Sequence, residues 1–225
     1  MPVFKRVNKD FFKKWAPEMA YVLGFFAADG YITLNKRSAH FWCIQITDKL
    51  LLEAIKEAVG SEHAISVRKR SGNENTIYRL QIGSKEMCDD LRHLGMKERK
   101  TKSMTIPHVP EKYFSHFVRG YFDGDGNVWV GRVKKRNGAS NLAIITMFTS
   151  CSFEFLERLH LRLAKSDVKG GSIYKAKQGY ARLQLSVNDS LKLYDLMYNQ
   201  PASSIGSLFL ERKKRVFEKY ILLRG

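Results

Sequence analysis

Two short stretches of this 225-residue chain reach an acid in the same register: VLGFFAADG at 22–30 and VRGYFDGDG at 118–126. Each has glycine in third place, apolar or aromatic residues around it, and then Asp29 or Asp125 followed by another glycine. The offset between the two acids is near half the chain, the spacing of a duplicated domain. One Asp-Gly alone reads as an ordinary turn. Two in one register point to chemistry, because carboxylates brought close together need a cation between them. Hard oxygen donors of this kind suit Mg²⁺, with positions left over for water and phosphate.

The elements that carry the acids read as helices. Gly24 and Ala28 stand four apart, as do Gly120 and Gly124, so each helix has one stripe with almost no side chain, where a second helix can approach closely. If the stripes face each other, Asp29 and Asp125 come within mutual reach. Pro17 and Glu18 suit a first helical turn, and Gly30 and Gly126 read as C-terminal stops. An acid in the last turn opposes the helix dipole at a cost of a few tenths to about 1 kcal/mol, which calls for compensation.

Lysine and arginine number 39 against 22 acids, a net charge of +17 that points to a polyanionic partner. Nucleic acid leads, although a basic membrane-surface protein has the same composition. Hydrophobic residues make up 44% of the chain, enough for a core, and no apolar run approaches the roughly 18 residues of a membrane span, so a soluble, unexported protein is expected. Cys43, Cys88 and Cys151 form no CxxC pair, which fits reduced thiols and argues against zinc or a disulfide framework.

Residues 1–16 hold five basic side chains among four aromatics, either an arm that touches phosphate or a solvated face over an apolar underside. Strands are expected over 31–35 and 41–47, around a basic hairpin that contains Lys36 and Arg37. Alternation sets Trp42, Ile44 and Ile46 on one face and Cys43, Gln45 and Thr47 on the other, so Gln45 points away from the core. An amphipathic helix follows over 48–59, then strands over 64–70 and 76–82. Ser66, Arg68 and Arg70 share a face, as do Arg79 and Gln81, while Ile65, Val67, Leu80 and Ile82 back the sheet onto helices.

The second half repeats this order, and RLQIG at Arg79 recurs as RLQLS at Arg182. Strands are expected over 127–136, 141–149, 172–177 and 182–187, with a helix over 153–163. Arg132, Lys134 and Arg136, then Lys175 and Lys177, then Arg182 and Gln184 make a second polar row. Such rows suit base reading in a major groove, where arginine pairs with guanine and glutamine with adenine at ~1–3 kcal/mol of discrimination each. A plain solvated sheet face has the same pattern. Gln45 aligns with Thr149, so the halves are unequal and imply an asymmetric target. A basic stretch at 96–111 links them, and helices over 190–197 and 208–223 close the chain, the run Glu211 to Arg215 reading as mostly solvated with some backbone contact.

The two segments resemble the signature motifs of the LAGLIDADG homing endonucleases, and the likeness covers nearly the whole chain. HFVRGYFDGDG is the closer copy; the first has Ala27 at the sixth motif position, where the pattern usually has Asp, but keeps the eighth as Asp29. KTKSMTIPHVPEKYFSHFVRGYFDGDG and FLERKKRVF look like bacterial and phage members. The resemblance implies an α+β pseudo-dimer in one chain: a basic arm at 1–16, LAGLIDADG half-domains at 17–98 and 113–225 joined by a linker at 99–112, motif helices packed at the centre and two saddle-shaped antiparallel sheets over double-stranded DNA. It implies Mg²⁺ held by Asp29 and Asp125 with the carbonyls of Ala28 and Gly124, Mn²⁺ substituting and Ca²⁺ supporting binding without turnover. Gln45 would position water and Lys102 would sit near the reacting phosphate. The implied activity of this monomer is a staggered double-strand break in a long site, serving intron homing. An RNA maturase acting on intron RNA and an inactive DNA-binding regulator on the same fold stay open.

Overall fold

The computed structural model describes residues 5–68, 76–98, 103–134, 138, 140–176, 179–199 and 208–224. Helix α1 (Pro17–Asp29) has proline in its first turn and nine consecutive buried residues from Met19 to Ala27, the signature of a helix enclosed on all sides. It runs straight into β1 (Gly30–Leu34), which pairs antiparallel with β2 (His40–Ile46). Gly30 is therefore not the left-handed stop expected of it: its φ is −89°, and its lack of a Cβ makes room for the Phe26 ring, 2.1 Å from where a Cβ would stand.

Asp48 caps α2 (Lys49–Ala58) by accepting from the Leu51 amide at 2.9 Å, and Gly60, at φ +62°, turns the chain out of it. Strands β3 (Ser66–Arg68) and β4 (Ile77–Gly83) complete a sheet in the order β1-β2-β4-β3. Helix α3 (Lys85–His93) is absent from the sequence expectations, yet its signals are ordinary: Ser84 caps it, and Met87, Cys88 and Leu91 form its buried stripe. The second repeat has the same order: α4 (Glu111–Asp125), β5 (Gly126–Lys134), β6 (Ser140–Ser150), α5 (Phe153–Lys165), β7 (Ser172–Lys175), β8 (Ala181–Leu185) and α6 (Val187–Tyr198), its sheet running β5-β6-β8-β7. Helix α7 (Glu211–Arg224) is added at the end. Two antiparallel four-stranded sheets with helices on one face make the fold α+β. Among the described residues no helix is long and apolar enough to cross a membrane.

Contacts divide the chain into two units. Met1–Lys100, Pro107–Gly124 and Gly206–Leu208 form one, and Thr101–Ile106, Asp125–Ile205 and Phe209–Gly225 the other. The first is built on α1, the β1–β4 sheet, α2, α3 and nearly all of α4, with Trp42, Ile44, Leu80 and Ile82 wholly buried. Val67, expected in that core, is 55% exposed, because β3 is an edge strand reaching past the helices beneath. In the second unit α5, α6 and α7 cover Ile144, Phe148, Leu183 and Leu185.

Candidate active site and nucleic-acid interface

Within the first unit α1 and α4 meet backbone to backbone. A Cβ on Gly24 would stand 2.1 Å from the Phe117 carbonyl oxygen, and one on Gly120 2.0 Å from that of Tyr21. The stripe continues toward the helix ends, where a Cβ on Gly124 would meet the Ala28 methyl at 2.4 Å and an Asp29 carboxylate oxygen at 3.2 Å. Bare glycines let the α1 carboxylate lie alongside the α4 backbone, one residue before Asp125. Asp29 is exposed and Asp125 half-buried, each the last residue of its helix. Ala28 and Gly124 lie in last turns, whose carbonyl oxygens are directed out of the helix end. The negative ends of two helix dipoles add to the charge of the acids.

A buried polar network on the same helices is absent from the sequence expectations. His116, Arg119 and Asp123 fall on one side of α4 and are 1%, 1% and 2% exposed. The Tyr21 hydroxyl donates to Asp123 Oδ2 at 2.7 Å, and the Arg119 guanidinium lies over the Tyr21 ring. Arg119 Nε donates to the Leu208 carbonyl at 2.9 Å, and its Nη2 pairs with His116 Nδ1 at 3.1 Å. Burial, and secondarily the neighbouring Arg119 cation, press the His116 pKa down to about 4, so the imidazole is neutral and accepts from Arg119. Helical spacing within an apolar helix was the available signal: a polar residue at every turn of one face needs a partner when that face is buried.

Lys213 corrects an expectation. Rather than lying on a solvated face, it is 6% exposed and donates from Nζ to the Gly126 carbonyl at 2.6 Å, fixing the start of β5 directly after Asp125. It shares a stripe with Phe217 and Tyr220, the buried residues of α7.

In the first sheet, register assembles the expected polar row. Gln45 pairs with Arg79, which pairs with Ser66, so the three stand side by side across β2, β4 and β3 on the face away from the helices. Arg68 shares that face; Arg79 and Arg68 are exposed, and Gln45 and Gln81 half-buried. Cys43 lies on it too but is fully buried opposite its cross-strand partner Tyr31, and desolvation raises its pKa. Arg37 is exposed at the tip of the β1–β2 hairpin.

In the second sheet the expected single row is divided. Thr149 pairs with Arg182 and Met147 with Gln184, which places Arg182 and Gln184 on the outward face. Arg132 and Lys134 pair with Leu142 and Ser140, in phase with Val128, Val130 and buried Ile144 and Phe148, and so lie on the opposite face. They are nonetheless exposed, because β5 and β6 run on as a two-stranded ribbon beyond the residues of β6 that pair with β8. Lys175 also leaves the row: it pairs with Ala181 and carries its ammonium over the Phe153 ring at the start of α5. The error was one of phase, since basic residues at alternate positions share a face without showing which. Arg70, Lys102, Arg136 and Lys177 lie outside the described residues.

This duplicated helix, sheet and carboxylate arrangement has relatives among known proteins. The fold is that of the LAGLIDADG meganucleases. Residues 16–94, the first repeat, match the family described as LAGLIDADG-like domain. I-AabMI, a LAGLIDADG meganuclease solved bound to uncleaved DNA, superposes with TM-score 0.60 at 16% identity, over 93% of this chain and 90% of that one. I-SmaMI, bound to an uncleaved DNA target in the presence of calcium ions, gives 0.56 at 14% over 94% and 92%. Among curated sequences, the uncharacterized protein MJ0398 of Methanocaldococcus jannaschii is 22% identical over 213 residues, 92% of this chain and 72% of its own. Three other curated matches are longer proteins, of which the chain spans only 8 to 25%.

Proposed function

We propose that this protein is a site-specific DNA endonuclease that makes a staggered double-strand break in a long, asymmetric target, in the service of intron homing. The observation that carries the reading is the close pair of glycine-striped helices, each ending in an acid. Two hard carboxylates and last-turn carbonyls at the negative ends of helix dipoles fit a divalent cation of the Mg²⁺ type. Asp29 and Asp125 would hold it with the carbonyls of Ala28 and Gly124, Mn²⁺ would replace it, and Ca²⁺ would support binding alone. When bound, such an ion supplies Lewis acidity at the phosphodiester and lowers the pKa of a coordinated water.

The chain's own groups do the rest. Gln45, half-buried beside Arg79, orients water by hydrogen bonding, and Lys102 neutralises charge at the reacting phosphate. Lys213 holds the Gly126 carbonyl and so fixes the direction in which Asp125 leaves α4. Arg79, Gln81, Ser66 and Arg68 on one sheet and Arg182 and Gln184 on the other read base edges, while Arg37, Arg132 and Lys134 contact the sides of the groove. Net charge, the sheet faces and the DNA-bound structural neighbours support this partner.

The test captures DNA from a random duplex library in Ca²⁺, adds Mg²⁺ and sequences the released ends. Discrete staggered ends from one asymmetric consensus are expected. Selection without cutting would replace the reading with a DNA-binding regulator, and no selection of duplex at all would turn the search to intron RNA.

A further inference from the structure

The outward faces of the two sheets occupy equivalent positions but differ in chemistry. In the first sheet the face presents Gln45, Arg79, Ser66, Arg68 and Gln81, with Tyr31, 38% exposed, on the edge strand, and the residue equivalent to Met147 is the buried Cys43. In the second, Trp129 pairs with Ile145, and Val133 and Met147 continue on the same side. Trp129 and Val133 are 43% and 42% exposed, and Tyr174, whose hydroxyl reaches Gln184 Oε1 at 3.2 Å, is 38% exposed. The indole is planted across Gly131, whose missing Cβ would stand 2.2 Å from it. A large apolar strip thus stands on a sheet face that the helices of its own unit leave open, beside Arg182 and Gln184.

We propose that this strip reads thymine 5-methyl groups in the major groove, so that the part of the target under the second sheet is rich in A·T pairs. The inference rests on the proposed function and names the substrate feature that this sheet selects. The thymine methyl is the one apolar group a base pair shows in that groove, and only apolar contact recognises it. Ile145 and Val133 offer neither a donor nor an acceptor to a base edge, and Trp129 has its indole N–H as a donor but no acceptor for the cytosine amino group. Both kinds of base pair show polar groups in that groove, so the discrimination comes from the methyl, which a G·C pair lacks. The basic surroundings distinguish this strip from a protein-docking patch: Arg182 shares its face, Arg132 and Lys134 flank it on the ribbon, and the chain carries +17.

The experiment starts from the consensus selected in Ca²⁺. Arg79→Ala identifies the half read by the first sheet through the positions whose preference it relaxes. Each thymine of the other half is then replaced singly by deoxyuridine, which lacks only the methyl. Affinity is expected to fall roughly three- to fivefold at each contacted position, the value of one buried methyl, and less than about twofold in the Arg79 half. Val133→Ser and Ile145→Thr should erase the deoxyuridine penalty at their own positions while leaving Arg79-dependent preferences unchanged. Selected DNA that tolerates deoxyuridine everywhere, or loses affinity equally in both halves, overturns this inference and leaves the proposed function standing. A chain that selects no duplex overturns both. A solution dimer abolished by Trp129→Ser without loss of DNA binding would assign the strip to a second copy of the chain instead.

Discussion

The proposed chemistry stands or falls with Asp29 and Asp125. With Asp29→Asn or Asp125→Asn, cleavage should drop by about a thousandfold or more, the several kcal/mol a metal-held oxygen supplies, while binding in Ca²⁺ changes little. Full cleavage by either variant in a gel assay would remove them from the reaction. The buried network makes a stability prediction of its own. Tyr21→Phe deprives Asp123 of its 2.7 Å donor and should cost ~1.5–3 kcal/mol in urea denaturation. His116 sets a pH window. The unfolded imidazole takes its proton near 6.5 and the native one only near 4, so between those values the unfolded chain binds more protons and stability falls as pH falls. The loss should approach about 3 kcal/mol at its limit, and His116→Gln should flatten that part of the stability–pH curve.

The helix pair allows a sharper test, because its contacts are with backbone, which cannot rotate away. Gly24→Ala or Gly120→Ala forces a methyl to about 2 Å from a carbonyl oxygen, so the helices must part at a cost of at least ~1–3 kcal/mol. The melting temperature should fall by several degrees, whereas Gly138→Ala, with nothing within 4 Å but a φ of +82°, should cost only about 1 kcal/mol of backbone strain. Much of this level was legible in the sequence. Period and punctuation located α1, α4 and the eight strands, and the glycine spacing located the helix contact. What could not be read was phase: whether Arg132 or Trp129 faces the helices depends on which residue of β6 pairs with β5, and local alternation does not contain that. Lys213 and α3 were legible but obscured, the first inside a basic run and the second beside a stretch dense with charge.

At the level of the whole chain, an excess of +17 should give strong sequence-blind affinity for duplex DNA that collapses with salt. If six to ten phosphates are neutralised, non-specific binding should weaken by about 10³–10⁵ between roughly 50 and 200 mM salt, with log K linear in log salt. Fluorescence anisotropy on a random-sequence duplex measures the slope directly. Cognate binding should retain a further salt-insensitive part, because base-edge hydrogen bonds and methyl contacts release no counterions. On the proposed reading, the unlike sheet faces would distribute that part unequally along the target.

The contact between Tyr21 and Asp123 also bears on heredity. Counting along the repeat, Phe117 occupies the place of Tyr21, and Ala27 that of Asp123. A protein recombined from two copies of the second repeat would set phenylalanine against a buried carboxylate, and one made from two copies of the first would set tyrosine against alanine. The duplication has therefore passed a point of no simple return. Any chimera that exchanges halves with a relative has to carry the tyrosine and the aspartate across together, or replace both with apolar residues.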